Sequence, residues 1–209
     1  MIILDKVTKK FGNKTVIDDL SLCFPDNRNI AICGPSGSGK STLLSILAGI
    51  EKIDCGRIDP EISSLDISMS FQDPRLLPGR TAAENVNLVM GDRPATLPDA
   101  RKILCELGVS DTEKYPDQLS GGMKARVGIA RALAVKRGIY LFDEPFAALD
   151  EENIMRTAEV IQRYTAGALT IMVIHDKDLA RRIADTLIVF NDEILNENFT
   201  VEGVIADRL

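Results

Sequence analysis

One run of residues constrains this chain more than any other feature. Gly34-Pro35-Ser36-Gly37-Ser38-Gly39-Lys40-Ser41 fills every position of the pattern GxxxxGK[ST]. It follows the apolar stretch Asn29-Ile30-Ala31-Ile32-Cys33 and precedes the apolar helical run Leu43-Leu44-Ser45-Ile46-Leu47. The context is therefore a buried strand turning into a helix. Glycines let the backbone curl until its N–H groups converge on an anion, and the positive end of the helix adds to the attraction. Lys40 can reach the outer phosphates of a nucleoside triphosphate, and the Ser41 hydroxyl can ligate Mg²⁺. The segment from Gly34 through Thr42 is the expected nucleotide cradle.

The rest of the chain fits a sheet around such a turn. Short runs rich in β-branched residues recur at 29–33, 67–71, 139–142, 170–174 and 186–190. Several are almost continuously apolar, which is the pattern of strands buried on both faces of a parallel sheet. Between them lie helical patterns. From Asp150 to Ala166, Ile154, Ala158 and Ile161 share one face, and Gly167 supplies a stop. Alternation of strand and helix predicts an α/β fold. From about Pro74 to Ala134 the pattern is helical with no clear strand, which predicts a helical lobe inserted into the sheet. Thr81 and Glu84 have capping-box spacing there, and Pro98 suits the first turn of a second helix that ends near Gly108. The first ~25 and last ~20 residues read as additional β structure.

Composition removes several function classes. The chain has 209 residues, 45% hydrophobic and 27% charged, enough for one domain with a substantial core. Its net charge of -6 argues against a broad nucleic-acid-binding surface, and the absence of Trp argues against a base-stacking platform. No apolar run approaches the roughly 20 residues that cross a bilayer. The N-terminus meets charge at Asp5 and Lys6 and has no signal-peptide core, so the expected location is the cytosolic side. Cys23, Cys33, Cys55 and Cys105 are scattered and read as reduced thiols. Cys33 directly precedes the phosphate loop, so its modification would be expected to block nucleotide.

A second chemical feature follows the strand at 139–142, which runs into Asp143-Glu144. Adjacent acids at the end of a buried strand are costly unless a cation or substrate meets them. Asp143 suits Mg²⁺ coordination, directly or through water, and Glu144 suits a general base for an attacking water.

Leu119-Ser120-Gly121-Gly122-Met123 then points to a family. Physically it is an N-cap serine and two glycines opening a helix, a second anion-binding turn. It resembles the LSGGQ signature of ABC transporter ATP-binding subunits, with Met123 in place of the common Gln. Further landmarks follow in family order. Gln72 resembles the Q-loop glutamine, a contact for Mg²⁺ and water that links the core to the helical lobe. Asp143-Glu144-Pro145 resembles Walker B with its catalytic glutamate. Ala148-Leu149-Asp150 resembles the D-loop, and His175, the single histidine, resembles the switch histidine. Phe11 is similar to the aromatic that stacks on adenine.

The resemblance runs from about Phe11 to Phe190. It implies a P-loop NTPase core with a mostly parallel sheet, an antiparallel β subdomain and an inserted helical subdomain. The core would be about 1–73 and 135–209, and the helical subdomain about 74–134, in a single ABC ATPase domain of 1–209. It also implies ATP hydrolysis with Mg²⁺ and head-to-tail pairing of two subunits. Each ATP would lie between one subunit's phosphate loop and the other's Ser120-Gly121-Gly122, with Asp150 communicating across the interface. Closure and opening of that sandwich would drive an integral membrane permease from the cytoplasmic face of the membrane. An outside solute-binding protein is the expected companion, and nucleic acid is not an expected partner.

Phe71 to Pro78, Arg126 to Leu133 and Asp143 to Asp150 are most similar to the nitrate/sulfonate/taurine importer group. Gly79, where that group usually has Trp, Ala147, where it often has Gly, and the absence of a Glu-Ala pair after His175-Asp176 depart from it. Gly79 is expected in the groove for the permease's coupling helix, where loss of a Trp anchor changes which helix fits. Little chain follows the last strand, so a ligand-sensing C-terminal domain is not expected. Two other readings compete. A soluble ABC-type ATPase acting on DNA or ribosomes usually carries long coiled-coil insertions or tandem ATPase domains, and neither is visible. A P-loop kinase of small metabolites leaves Gln72, Leu119 to Met123 and His175 unexplained. The transported solute is not legible.

Overall fold

In the computed structural model, residues 1–61, 66–91 and 99–203 are described. The elements are β1 (Ile2–Phe11), β2 (Lys14–Phe24), β3 (Asn29–Cys33), α1 (Lys40–Leu47), β4 (Cys55–Asp59), β5 (Ile67–Ser70), α2 (Ala82–Asn87), α3 (Ala100–Glu106), α4 (Gly121–Leu133), β6 (Ile139–Asp143), α5 (Glu151–Tyr164), β7 (Leu169–Val173), α6 (Lys177–Ile183), β8 (Thr186–Phe190) and β9 (Phe199–Gly203).

Two sheets form. The smaller has the order β2-β1-β4 and is antiparallel throughout. The larger has the order β5-β6-β7-β3-β8-β9, parallel except for the β8/β9 pair. Every residue of β6, β7 and β8 is buried, as expected of parallel strands covered on both faces.

Alternate side chains separate two cores. Ile30, Ile32, Leu141, Ile171 and Val173 face α1 and the antiparallel sheet. Ala31, Cys33, Tyr140, Phe142 and Met172 face α4, α5, α6 and the helical lobe. Each fully buried Leu or Ile contributes about 1.5–3 kcal/mol, so the sheet is anchored from both sides. The backbone pair between Val16 and Leu195 (N···O 3.1 Å) fastens the small sheet to the segment between β8 and β9.

The boundaries follow local chemistry. α2 carries the expected capping box: Thr81 accepts from the Glu84 amide, and the Glu84 carboxylate accepts from Thr81 N. α5 starts at Glu151, one residue after the sequence pattern, because Asp150 is its cap and accepts from Asn153 N at 2.9 Å. Strand β6 reaches Asp143, one residue further than its apolar run, because the ladder continues through Asp143 opposite Val173. Asp99 caps α3, which begins at Ala100 and ends at Glu106. Pro98, expected in its first turn, lies outside the described residues.

The helices α2, α3 and α4 and the turn at Pro116–Gln118 lie between β5 and β6 in the chain. Arg156 ties this helical region to α5, and Arg126 of α4 joins it to the end of α3 and, through Asn153, to α5. Arg156 donates to the carbonyls of Cys105 and Glu106, while Arg126 donates to those of Leu107 and Gly108. The C-terminal carbonyls of α3 thereby find guanidinium partners rather than remaining unpaired.

Candidate functional site

Strand order brings the chemistry together. β5, β6, β7 and β3 are consecutive neighbours running in one direction. Their carboxyl ends therefore lie side by side, where open α/β sheets place ligands. Gln72 follows β5, Asp143 and Glu144 end β6, His175 follows β7, and the phosphate loop follows β3. A cavity of about 520 Å³ opens there, lined by Phe11, Lys40, Ser41, Gln72, Glu144 and His175 among others.

The loop is shaped by sterics. Gly39 caps α1 at φ +106°, and a Cβ there would stand 2.5 Å from Val16 Cγ1 and 2.9 Å from Val16 O. Glycine is thus required for both the turn and the close approach. Ser36, Gly37, Gly39 and Thr42 also line the cavity, while Ser38 is fully buried beneath it. The Lys40 ammonium donates to Gly34 O at 3.0 Å, Pro35 O at 2.6 Å and Ser38 Oγ at 3.3 Å. Burial pulls its pKa below the usual lysine value, opposed by Glu144 among other charges. A triphosphate in the cradle would restore a full complement of negative charge around it.

Asp143 accepts a hydrogen bond from Ser41 Oγ at 2.9 Å. Burial raises its carboxyl pKa, and that hydrogen bond opposes the rise. Glu144 leaves the strand with φ at +50°, an uncommon backbone region for a non-glycine. Its carboxylate is held at both oxygens: Gln72 Nε2 donates to Oε2 at 3.0 Å, and His175 Nε2 lies 2.6 Å from Oε1. A carboxylate so oriented beside a phosphate cradle can take a proton from an attacking water.

Phe11 lines the cavity and is 46% exposed. Lys14 and Val16, which the sequence pattern did not single out, line it as well. Their signal was weak, because nothing in a hairpin sequence says which residues will face a loop more than twenty positions later. Cys33 is buried, and burial pushes its thiol up to about 11, so the thiolate needed for modification is suppressed. All four cysteines are free.

Ser120, Gly121, Gly122 and Asp150 do not line this cavity. Ser120 caps α4 and accepts from Met123 N at 3.2 Å. Gly122 is fitted to the segment before Asp150, since a Cβ would meet Ala148 O at 2.7 Å. Gly121 has open space where its Cβ would stand. Asp150 accepts from both the backbone and the side chain of Asn153, whose Oδ1 accepts from Arg126 at 2.7 Å. Arg126, which opens the Arg126 to Leu133 run, and Asn153, unremarked in the sequence, thus join the Ser120 turn to the Asp150 segment. Among the described residues no cluster of three or more His, Cys, Asp or Glu side chains could hold a metal. No helix among them is long and apolar enough to cross a membrane.

The geometry agrees with comparison to known proteins. A family model described as "ABC transporter" matches residues 17–147. The chain is 38% identical to the Fe(3+) ions import ATP-binding protein FbpC of Photorhabdus laumondii over 90% of its own length and 58% of that protein's. It thus spans somewhat less than two thirds of that relative. It is 39% identical to the aliphatic sulfonates import ATP-binding protein SsuB 2 of Rhodococcus jostii, covering 91% of this chain and 81% of that one. In three dimensions it matches MJ0796, a bacterial ABC transporter cassette solved as a dimer, with a TM-score of 0.83 and 29% identity over 97% of this chain and 98% of that chain. With the phosphate loop, the held glutamate and the glycine-opened α4 in family order, this chain belongs to the ABC transporter family as an ATP-binding domain.

Proposed function

We propose that this chain binds and hydrolyses ATP to power a membrane importer, and that Glu144 is its general base. The observation that carries the reading is the two-sided grip on the Glu144 carboxylate by Gln72 and His175, at the mouth of a complete phosphate cradle. Lys40 and the Gly34–Thr42 backbone would hold the triphosphate, and Phe11 would stack on the adenine. Glu144 would draw a proton from water as it attacks the γ-phosphorus, with His175 keeping the carboxylate in line and Gln72 orienting the same water.

The donors present suit Mg²⁺. It needs few protein ligands, prefers oxygen, and keeps waters and phosphate oxygens around it. Ser41, Asp143 and Gln72 would hold it, and the lack of a larger ligand cluster among the described residues is compatible with that economy. When bound, the ion would neutralise phosphate charge as it develops.

The partners follow from what one copy leaves apart. The turn at Ser120, Gly121 and Gly122 opens a helix, yet it stands outside the chain's own cavity. A second copy placed head to tail would bring it over the triphosphate, with Asp150 at the seam. The dimeric state of the MJ0796 cassette supports pairing of two copies. Integral membrane permease subunits and an outside solute-binding protein would complete the assembly, with this chain at the cytoplasmic face. The import activities named for the relatives favour uptake over export.

The test is purification of the tagged chain from gently solubilised membranes of its own cell. A stoichiometric integral membrane protein, with MgATP hydrolysis lost in Lys40→Ala, is the expected result. Recovery with ribosomes or DNA alone would overturn the transport reading.

A further inference from the structure

We infer that Lys9 is a positioning residue for the base end of the nucleotide site, acting by holding the Phe11 ring through a cation–π contact. The inference rests on the reading of Phe11 as the adenine platform.

Lys9 and Phe11 are two positions apart on β1, so they share a face of the strand. The Lys9 ammonium stands 4.9 Å from the centre of the Phe11 ring, within cation–π range. Phe11 lines the cavity and Lys9 does not, so the cation touches the ring without itself forming the cavity wall. The ring is otherwise poorly restrained, being 46% exposed near the end of a strand.

Lys9 itself is well restrained. The residue is 8% exposed, an unusual state for a lysine, and its ammonium has fixed partners. It donates to the Lys52 carbonyl at 2.7 Å and pairs with Glu51 at 3.3 Å. Those residues follow α1, the helix that begins at Lys40. The side chain therefore runs from the segment behind the phosphate helix to the base platform, and it sets the position of one against the other. A platform already held in place loses less conformational freedom when a base stacks on it.

Removing the charge should leave the local fold intact. The same two segments are also joined by Asp54 N to Thr8 O at 2.9 Å and by Lys10 N to Asp54 Oδ2 at 2.6 Å. Methionine keeps an unbranched apolar stem in place of the lysine stem.

The experiment measures dissociation constants for MgATP and for magnesium tripolyphosphate, which lacks a base. The proteins are the parent chain, Lys9→Met, Lys9→Arg, Phe11→Ala and the Lys9→Met/Phe11→Ala double variant. Lys9→Met should weaken MgATP about three- to tenfold and leave tripolyphosphate unchanged. Lys9→Arg should recover most of the loss, and Lys9→Met should add nothing once Phe11 is alanine. Equal weakening of both ligands, or a loss that persists in the Phe11→Ala background, would place Lys9 in general folding and overturn the inference. If Phe11→Ala weakens MgATP while Lys9→Met does not, this inference alone fails. If Phe11→Ala leaves MgATP binding unchanged, the platform reading fails and takes the inference with it.

Discussion

His175 Nε2 and Glu144 Oε1 lie 2.6 Å apart, joining the ends of two neighbouring parallel strands. Thirty-one positions separate them in the chain, and the contact exists because β6 and β7 are adjacent in the sheet. The Glu144 side chain is 14% exposed and the His175 side chain 47%, so the histidine screens the carboxylate from one side while staying in reach of solvent.

Replacing Glu144 by Gln keeps the shape and the partner from Gln72 but removes the proton acceptor. Hydrolysis should fall about 10²–10⁴-fold, the usual worth of a general base, while MgATP affinity is retained. Single-turnover hydrolysis measured beside nucleotide binding separates the two. A variant that turns over at the parental rate would falsify the assignment of the base.

Asp143 gives a pH-dependent prediction. Burial raises its carboxyl pKa above the ordinary 3.8, so the folded protein binds this proton more tightly than the unfolded chain does. Stability from this group therefore falls as pH rises from 3.8 through the raised folded value, and the ionised carboxylate is a burden at neutral pH. Asp143→Asn can still accept from Ser41 and carries no charge. In the absence of nucleotide it should raise the Tm at pH 7. The gain should shrink as pH falls toward 3.8. Thermal scans across pH check it, and a gain that grows in acid contradicts the sign. Hydrolysis should be lost in the same variant.

Adjacent glycines at the start of α4 should behave differently. A Cβ on Gly122 would sit 2.7 Å from Ala148 O, whereas Gly121 has nothing within 4 Å of the same position. Gly122→Ala should destabilise the chain by about 1–3 kcal/mol, as overpacking does, because backbone must shift. Gly121→Ala should match or slightly exceed the parent's Tm, since alanine is the better helix former. Equal melting losses in both variants would mean that the segment before Asp150 does not pack as described. If Gly121→Ala melts normally yet loses ATP-dependent dimerisation, that glycine serves a second copy.

Arg126 holds three pieces together by donating to Gly122 O, Leu107 O, Gly108 O and Asn153 Oδ1. Arg126→Met should cost about 2–4 kcal/mol by leaving those carbonyls without a partner. Hydrogen exchange should rise first at the end of α3. Arg126→Lys should recover only part, since an ammonium cannot reproduce the fork of a guanidinium. A full rescue by lysine would show that charge, not geometry, matters there.

Much of this was legible in the chain because its chemistry is local. The phosphate loop is contiguous, and its glycines answer a backbone demand visible within a few residues, as Gly39 at φ +106° illustrates. The capping box of Thr81 and Glu84 is likewise written in four residues. Buried strands announced themselves as apolar runs, and errors fell at their ends. Asp143 continues a ladder that its own polarity conceals, and Asp150 caps α5 rather than joining it.

What lay beyond the residues' own order was adjacency. Gln72, Glu144, His175 and the phosphate loop meet because the strand order is β5-β6-β7-β3, an order that depends on which faces pack best and not on any one segment. The family resemblance implied roles for them, but their distances come from packing. Lys9 against Glu51 and Lys52, and Val16 against Gly39, had no motif to mark them. Each is an ordinary residue whose significance comes from a neighbour distant in the chain. Short-range sterics and hydrogen bonding set the turns and caps, whereas burial of two apolar faces at once set which distant side chains would touch.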